Sequence, residues 1–219
     1  MNTLDMVQGW CDSPLTEEGV KVAQQLGKGF EGIDFRTAYC STLRRTRQTA
    51  EIVLKAKGQG NISIIEHEGI KEACFGSFEG SPNMTMWGNA ALFLQYTSRD
   101  AMYQDILDHN LNYRTVLDAI KKLDTLGLAE DYETLRLRTQ SALRHIAEEE
   151  AKKGEANILV IAHGMSILGM LGTLGGDDML KSHLDNAAVC KVIYDNGTFT
   201  VESMGDMSYV EKGKLAEKK

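Results

Sequence analysis

No two cysteines in this sequence are spaced as a metal site or redox motif requires. The four, Cys11, Cys40, Cys74 and Cys190, are scattered, with no CxxC pair. That argues against a metal centre and, at this chain length, against a disulfide framework. Reduced thiols in a cytoplasmic protein are the expectation, and no cofactor is called for. Nor is there an excess of positive charge: 24 Lys and Arg stand against 31 Asp and Glu, a formal charge of −7. Broad binding to a nucleic-acid backbone is therefore not expected, although one local cationic pocket is compatible with that balance. Long apolar runs are missing too. None reaches the roughly 18 residues that would span a bilayer, and no basic start followed by an apolar core marks a secretory signal. No internal repeat is present.

What is there alternates. Thr16 reads as an N-cap, with Val20, Ala23, Leu26 and Phe30 at helical spacing and Gly27, Gly29 and Gly32 ending the helix. "FRTAYCS" (35–41) reads as a buried strand, and a helix is expected from Ser41–Thr42 with Leu43, Ala50, Val53 and Leu54 inward. "NISIIEH" (61–67) is a β-branched strand. A long amphipathic helix is predicted from about Glu133 to Lys152, with Leu135, Thr139, Ala142, Leu143 and Ile146 on one face. "NILVIA" (157–162) suits a parallel strand covered on both faces, and "GMSILGMLGTL" a helix. Residues 187–204 read as a hairpin turning at Asn196-Gly197, and the charged tail "EKGKLAEKK" as frayed. The class is α/β: a mostly parallel sheet with helices on both faces and an antiparallel edge hairpin. One domain over 1–219 is expected, with a helical cap inserted at about 81–128. Met84, Met86, Trp87, Phe93, Tyr96 and Tyr103 would form the cap's own small core.

In such a sheet, ligands sit beyond the carboxyl ends of the strands. Three strand exits carry reactive groups: Arg44, Arg45 and Arg47 after the first, Glu72 after the second, His163 after the third. Singly, each is ordinary: a solvated arginine, a surface glutamate, a structural histidine. Together they supply what phosphoryl transfer needs. Arginine forks onto phosphate oxygens, a carboxylic acid protonates a leaving oxygen, and histidine attacks phosphorus or donates to the phosphoryl group. Helix starts at Ser41 and Gly164 would aim N–H groups at the same anion.

Five blocks in order, "QGWCDSPLTEEG", "STLRRTRQTAEIV", "IKEACFGSFEG", "AEDYETLRLR" and "VIAHGMSI", resemble the motifs of the histidine phosphatase superfamily, also called the phosphoglycerate mutase-like family. The resemblance implies a metal-independent enzyme acting on phosphate monoesters through a phosphohistidine. It implies that Arg45 grips the phosphate, Glu72 donates the proton and His163 stabilises the transferring group. It places Asn2, Gln8, Gly9 and Gly164 beside the substrate, and leaves Glu130 and Arg138 without a catalytic role. The cap holds only Arg99, Arg114, Lys121 and Lys122 as basic groups and no Trp-Arg-Arg segment, which favours a phosphatase over a mutase.

The family pattern opens on a short apolar strand ending in R-H-G-x-T-x-x-N, whose His is the nucleophile. Asn2 stands in the last place of that pattern, and the 219 residues contain no Arg-His-Gly. The expectation is that the family's central first strand and its His are missing here, through a start at an internal Met or a truncation. The chain as written is then inactive and poorly stable. The alternatives are a cofactor-dependent phosphoglycerate mutase and a non-catalytic binder of small phosphorylated metabolites.

Overall fold

The computed structural model describes residues 4–174 and 184–217. Three parallel strands, β1 (Phe35–Cys40), β2 (Ile64–Glu66) and β3 (Asn157–Ile161), form a sheet of order β2-β1-β3. In register, Ala38 of β1 lies opposite Ile64 on one side and Leu159 on the other. A central parallel strand is covered on both faces, and every β1 residue except Arg36 is buried. Its polar members are matched. Tyr39 Oη donates to Glu150 Oε1 at 2.8 Å, and burial together with that carboxylate pushes the phenol up to about 12.

The hairpin, β4 (Val189–Asp195) and β5 (Thr198–Asp206), is a separate two-stranded antiparallel sheet. Asn196 and Gly197 turn it with φ of +47° and +85°, as a type I′ turn requires. Among the described residues β3 pairs only with β1, and β4 only with β5. Yet β3 and β4 feed the same two apolar clusters. Leu159 and Ile161 join Val189 in one; Ile158 and Val160 join Cys190 and Val192 in the other. Two strands of one continuous sheet would share their faces in this way. The open edge also explains a departure from expectation: only Leu159 of β3 is fully buried.

On one side lie α1 (Glu17–Gly29), α2 (Arg44–Lys57) and α8 (Ser208–Ala216). Thr16 Oγ1 caps α1 by accepting the Gly19 N–H at 3.0 Å. Gly27 does not end α1; the helix runs through it and ends at Gly29. A Cβ on Gly27 would meet Val53 O at 2.3 Å, and one on Gly29 would meet Tyr209 O at 1.8 Å. These glycines let α2 and α8 approach backbone to backbone. The tail is likewise not frayed through this stretch, because α8 buries Val210 and seats Gly213 against the Gln25 backbone. α2 starts at Arg44, two residues later than expected, with Thr46, Ala50, Val53 and Leu54 inward.

Residues 81–128 carry α3 (Asn83–Phe93), α4 (Arg99–Leu107) and α5 (Tyr113–Leu123). Their buried residues Met86, Ala90, Met102, Ile106, Leu117 and Ile120 join one cluster with Val7, Phe75, Tyr132, Leu135 and Leu168. The expected separate core does not form. Met86 is buried, but Met84, Phe93 and Tyr103 are 56%, 46% and 42% exposed. α3 is apolar on nearly every side, so composition does not reveal which face turns inward. α6 (Tyr132–Ala151), capped by Asp131, and α7 (Gly164–Leu171) complete the fold. On α6 the expected inner face is buried except Leu143, which is half-buried.

Candidate active site

β1 and β3 are neighbours, so Ser41 and His163 leave the sheet side by side. His163 is buried at the start of α7, where its backbone N–H donates to Ser166 Oγ at 3.0 Å. Its Nδ1 accepts from Arg45 Nε at 3.2 Å, and its Nε2 lies 2.8 Å from Ser41 Oγ. Arginine can only donate. Nδ1 is therefore the acceptor, and Nε2 carries the proton. Burial holds the imidazole well below its ordinary pKa, and the charges of Arg45 and Arg138 add to the effect. His163 is a neutral, oriented donor.

Glu72 arrives from β2 through a 3-10 turn (Glu68–Ile70) and is buried. Oε1 accepts from the Ala73 and Ser166 N–H groups, each at 2.9 Å, and Oε2 from the Met165 N–H at 3.3 Å. Burial pushes its pKa up, against the pull of those N–H groups and of Arg45. The N-terminus of α7, begun by Gly164, thus addresses the Glu72 carboxyl rather than an open site. At α2 the same holds. Ser41 is not in the helix; Leu43 precedes it, and the Arg44 N–H donates to Asp12 Oδ2. The two helix starts expected to face a bound anion already face carboxylates of the chain.

Arg45 reaches back over the opening loop. Nη1 donates to Cys11 O at 2.9 Å and to Asp12 Oδ1 at 3.2 Å, and Nη2 donates to Gly9 O at 2.8 Å. Gly9 sits where no side chain fits: a Cβ would lie 2.3 Å from both Ala73 O and Glu79 Oε1. Gln8 borders Arg45 through its carbonyl, while its side chain donates to Ser13 Oγ at 2.8 Å. Arg44 is exposed, and Arg47 pairs on the surface with Glu51 at 2.9 Å and Glu66 at 3.3 Å. Asn2 lies outside the described residues, as does His183. His67 and His145 lie side by side with ring centroids 5.9 Å apart and planes tilted by 52°, and His109 follows α4. None of these three touches Arg45, Glu72 or His163.

Several contributors escaped the sequence reading. Glu79 gathers four backbone donors, accepting from Gly9 at 3.2 Å, Trp10 at 2.8 Å, Cys11 at 2.8 Å and Phe75 at 2.9 Å. It welds the opening loop to the Glu72 segment. A carboxylate between aromatic and glycine in "FGSFEG" was the signal available. Trp10 donates its indole N–H to Glu72 O at 2.8 Å, with Lys71 Nζ 4.0 Å over its ring. Arg138 pairs with Glu130 at 2.7 Å and donates to the carbonyls of Gly69, Lys71 and Glu72. That pair clamps the backbone carrying Glu72. Among the described residues, no group of three or more His, Cys, Asp or Glu is arranged to hold a metal, and no helix is long and apolar enough to cross a membrane.

An arginine, a neutral histidine and a buried carboxyl converge at the carboxyl ends of a parallel sheet. These are the three groups on which the resemblance to the family rested, and comparison with known proteins shows the family. The chain belongs to the histidine phosphatase superfamily (branch 1), whose model matches residues 1–207. It is similar to the crystal structure of phosphoglycerate mutase from Bacillus anthracis, with TM-score 0.90 and 38% identity over 97% of this chain and 91% of that one. Bacillus stearothermophilus YhfR gives TM-score 0.70 and 26% identity over 95% and 93% of the two chains. In sequence, 81 residues are 40% identical to the 2,3-bisphosphoglycerate-dependent phosphoglycerate mutase of Parvibaculum lavamentivorans, covering 36% of this chain and 39% of that protein. The matched stretch is thus under half of that relative's length.

Proposed function

We propose that the protein is a cytoplasmic phosphomonoester hydrolase for a small organic phosphate, working through a phosphohistidine without a metal. The observation that carries this reading is the joining of Arg45, neutral His163 and buried Glu72 within one hydrogen-bonded crevice. Arg45 would hold the non-bridging oxygens of the phosphoryl group, and His163 would stabilise that group with its Nε2–H exchanging Ser41 Oγ for a phosphoryl oxygen. Glu72, whose pKa burial raises, would protonate the leaving oxygen as the P–O bond breaks. It would then take a proton from the water that attacks the phosphoenzyme. Gln8, Gly9 and Gly164 would border the substrate.

The attacking imidazole is the remaining part. The 219 residues hold no Arg-His-Gly. In this proposal the nucleophile comes on a strand lying between the open edges of β3 and β4, and the 219 residues alone do not turn over. The experiment is chemical trapping of phosphohistidine, comparing this chain with one extended by an apolar strand and R-H-G-x-T. Label in the extended chain alone supports the reading. Label in neither, with phosphate still bound, points to a binding protein.

The mutase names of the relatives support a second reading, interconversion of phosphoglycerates. Against it, the cap cations do not line the crevice. Arg99 pairs with Asp100 at 3.0 Å, and Arg114, Lys121 and Lys122 surround a cavity that shares no residue with Arg45, Glu72 or His163. Assaying 3-phosphoglycerate interconversion with the bisphosphate separates the two.

A further inference from the structure

That cavity, about 370 Å³, lies between α5 and the start of α6 and is lined by Arg114, Asp118, Lys121, Lys122, Asp131, Tyr132 and Glu133. Its size is that of a small-ligand pocket. Its charges are unequal in what they already do. Asp118 Oδ1 accepts from the Tyr132 N–H at 3.1 Å, Asp131 Oδ1 caps α6 through the Thr134 N–H at 2.8 Å, and Glu133 is held by Arg136. The carboxylates are committed. The cations close no ion pair within 4 Å among the described residues, although Lys121 acts on Asp131 and Arg114 on Glu133 at longer range. Lys121 Nζ donates once, to Gly127 O at 3.1 Å, which leaves two of its three donors. Lys122 Nζ stands only loosely over Phe93, 6.0 Å from the ring centroid.

A second observation points the same way. Tyr132 is 2% exposed, yet its hydroxyl has no hydrogen-bond partner. A buried polar group left unpaired carries a free-energy cost and calls for an explanation. The Arg114 guanidinium lies over the tyrosine ring, 4.8 Å from its centroid, and its charge acts on the phenol oxygen, opposing the burial that pushes the Tyr132 pKa up. A ligand oxygen reaching between Arg114 and Tyr132 would satisfy the phenol and take the guanidinium fork as well.

We propose that this cavity is a second anion site, taking the phosphate group of inorganic phosphate or of a small phosphorylated metabolite on Arg114, Lys121, Lys122 and the Tyr132 hydroxyl. The test titrates the whole 219-residue chain with inorganic phosphate by calorimetry and ³¹P line broadening. An Arg45→Ala background removes the crevice from the measurement. One site is expected to persist in that background, and an added R114Q/K122Q pair is expected to weaken it at least about tenfold, the loss of two charge-assisted contacts. Both residues are exposed, so the pair leaves the fold intact. Tyr132→Phe is expected to weaken it by a smaller factor, about threefold to tenfold, for one neutral hydrogen bond. Repeating the titration with 3-phosphoglycerate tells a bare phosphate site from one that also reads an organic body; tighter or equal binding supports the proposal. Loss of all phosphate binding in Arg45→Ala, or residual binding unchanged by R114Q/K122Q, overturns it.

Discussion

Two regions of this molecule carry cationic side chains, Arg45 beside His163 and Glu72 and the Arg114, Lys121 and Lys122 group around the α5–α6 cavity, and they differ in how those charges are held. In the crevice, Arg45 already donates to Gly9 O, Cys11 O, Asp12 and His163. Both helix starts there are answered by Asp12 and Glu72. On α5 the cations share their cavity with Asp118, Asp131 and Glu133 but close no ion pair among the described residues. The first arrangement is preorganised, so its donors lose little freedom when a transition state forms. The second must order long side chains at the moment of binding. Preorganisation suits chemistry, and loose cations suit reversible capture of an anion.

The largest expected effect is at the acid. In a chain carrying the R-H-G segment, Glu72→Gln is predicted to lower kcat by about 10²–10⁴, the usual worth of a general acid. Thermal unfolding should change little, because the amide oxygen keeps the Ala73 and Ser166 N–H groups and only the longer 3.3 Å contact from Met165 is lost. A fall in kcat equalled by loss of fold would make Glu72 structural. Next comes Gly9→Ala. Its Cβ would collide with Ala73 O and Glu79 Oε1, each at 2.3 Å, and overpacking of that kind costs roughly 1–3 kcal/mol. Chemical denaturation should show that loss together with weaker phosphate binding, since the loop would lift from Arg45.

A third prediction concerns pH. His163 in the folded chain titrates below its ordinary value of 6.5. The unfolded chain therefore takes up a proton first as pH falls. The His163 contribution to stability is whole above that value and is lost as pH drops toward the depressed folded pKa. Melting temperature should fall on acidification from neutrality, and less steeply in His163→Asn. Equal slopes would place the effect elsewhere. The smallest effect is expected at Arg47, whose pairs with Glu51 and Glu66 are solvent-exposed. Arg47→Ala should cost under about 1 kcal/mol and leave phosphate binding in the crevice unchanged; a large loss of binding would bring it into the site.

The same contrast explains what could be read from the chain. Arg45, Glu72 and His163 were legible because each follows a strand, and parallel strands deliver their ends to one place. Asp12 and Glu79 were not, because their partners lie 32 and 70 residues away and only folding brings them together. Gly27 read as a helix stop, since a sequence does not show that another backbone will press against a glycine. The helix α8 was hidden in a charged tail whose few apolar groups count only once α1 is beside them. On α3, apolar residues all round left the inward face undetermined. Tyr132 gave no signal at all; its unpaired hydroxyl is a property of the packed structure.

The most direct measurement is hydrolysis of p-nitrophenyl phosphate by the 219-residue chain and by the same chain preceded by an apolar strand and R-H-G-x-T, each with and without Arg45→Ala. Turnover is expected only in the extended chain with Arg45 intact. Robust turnover by the 219 residues alone, or turnover indifferent to Arg45, would contradict it.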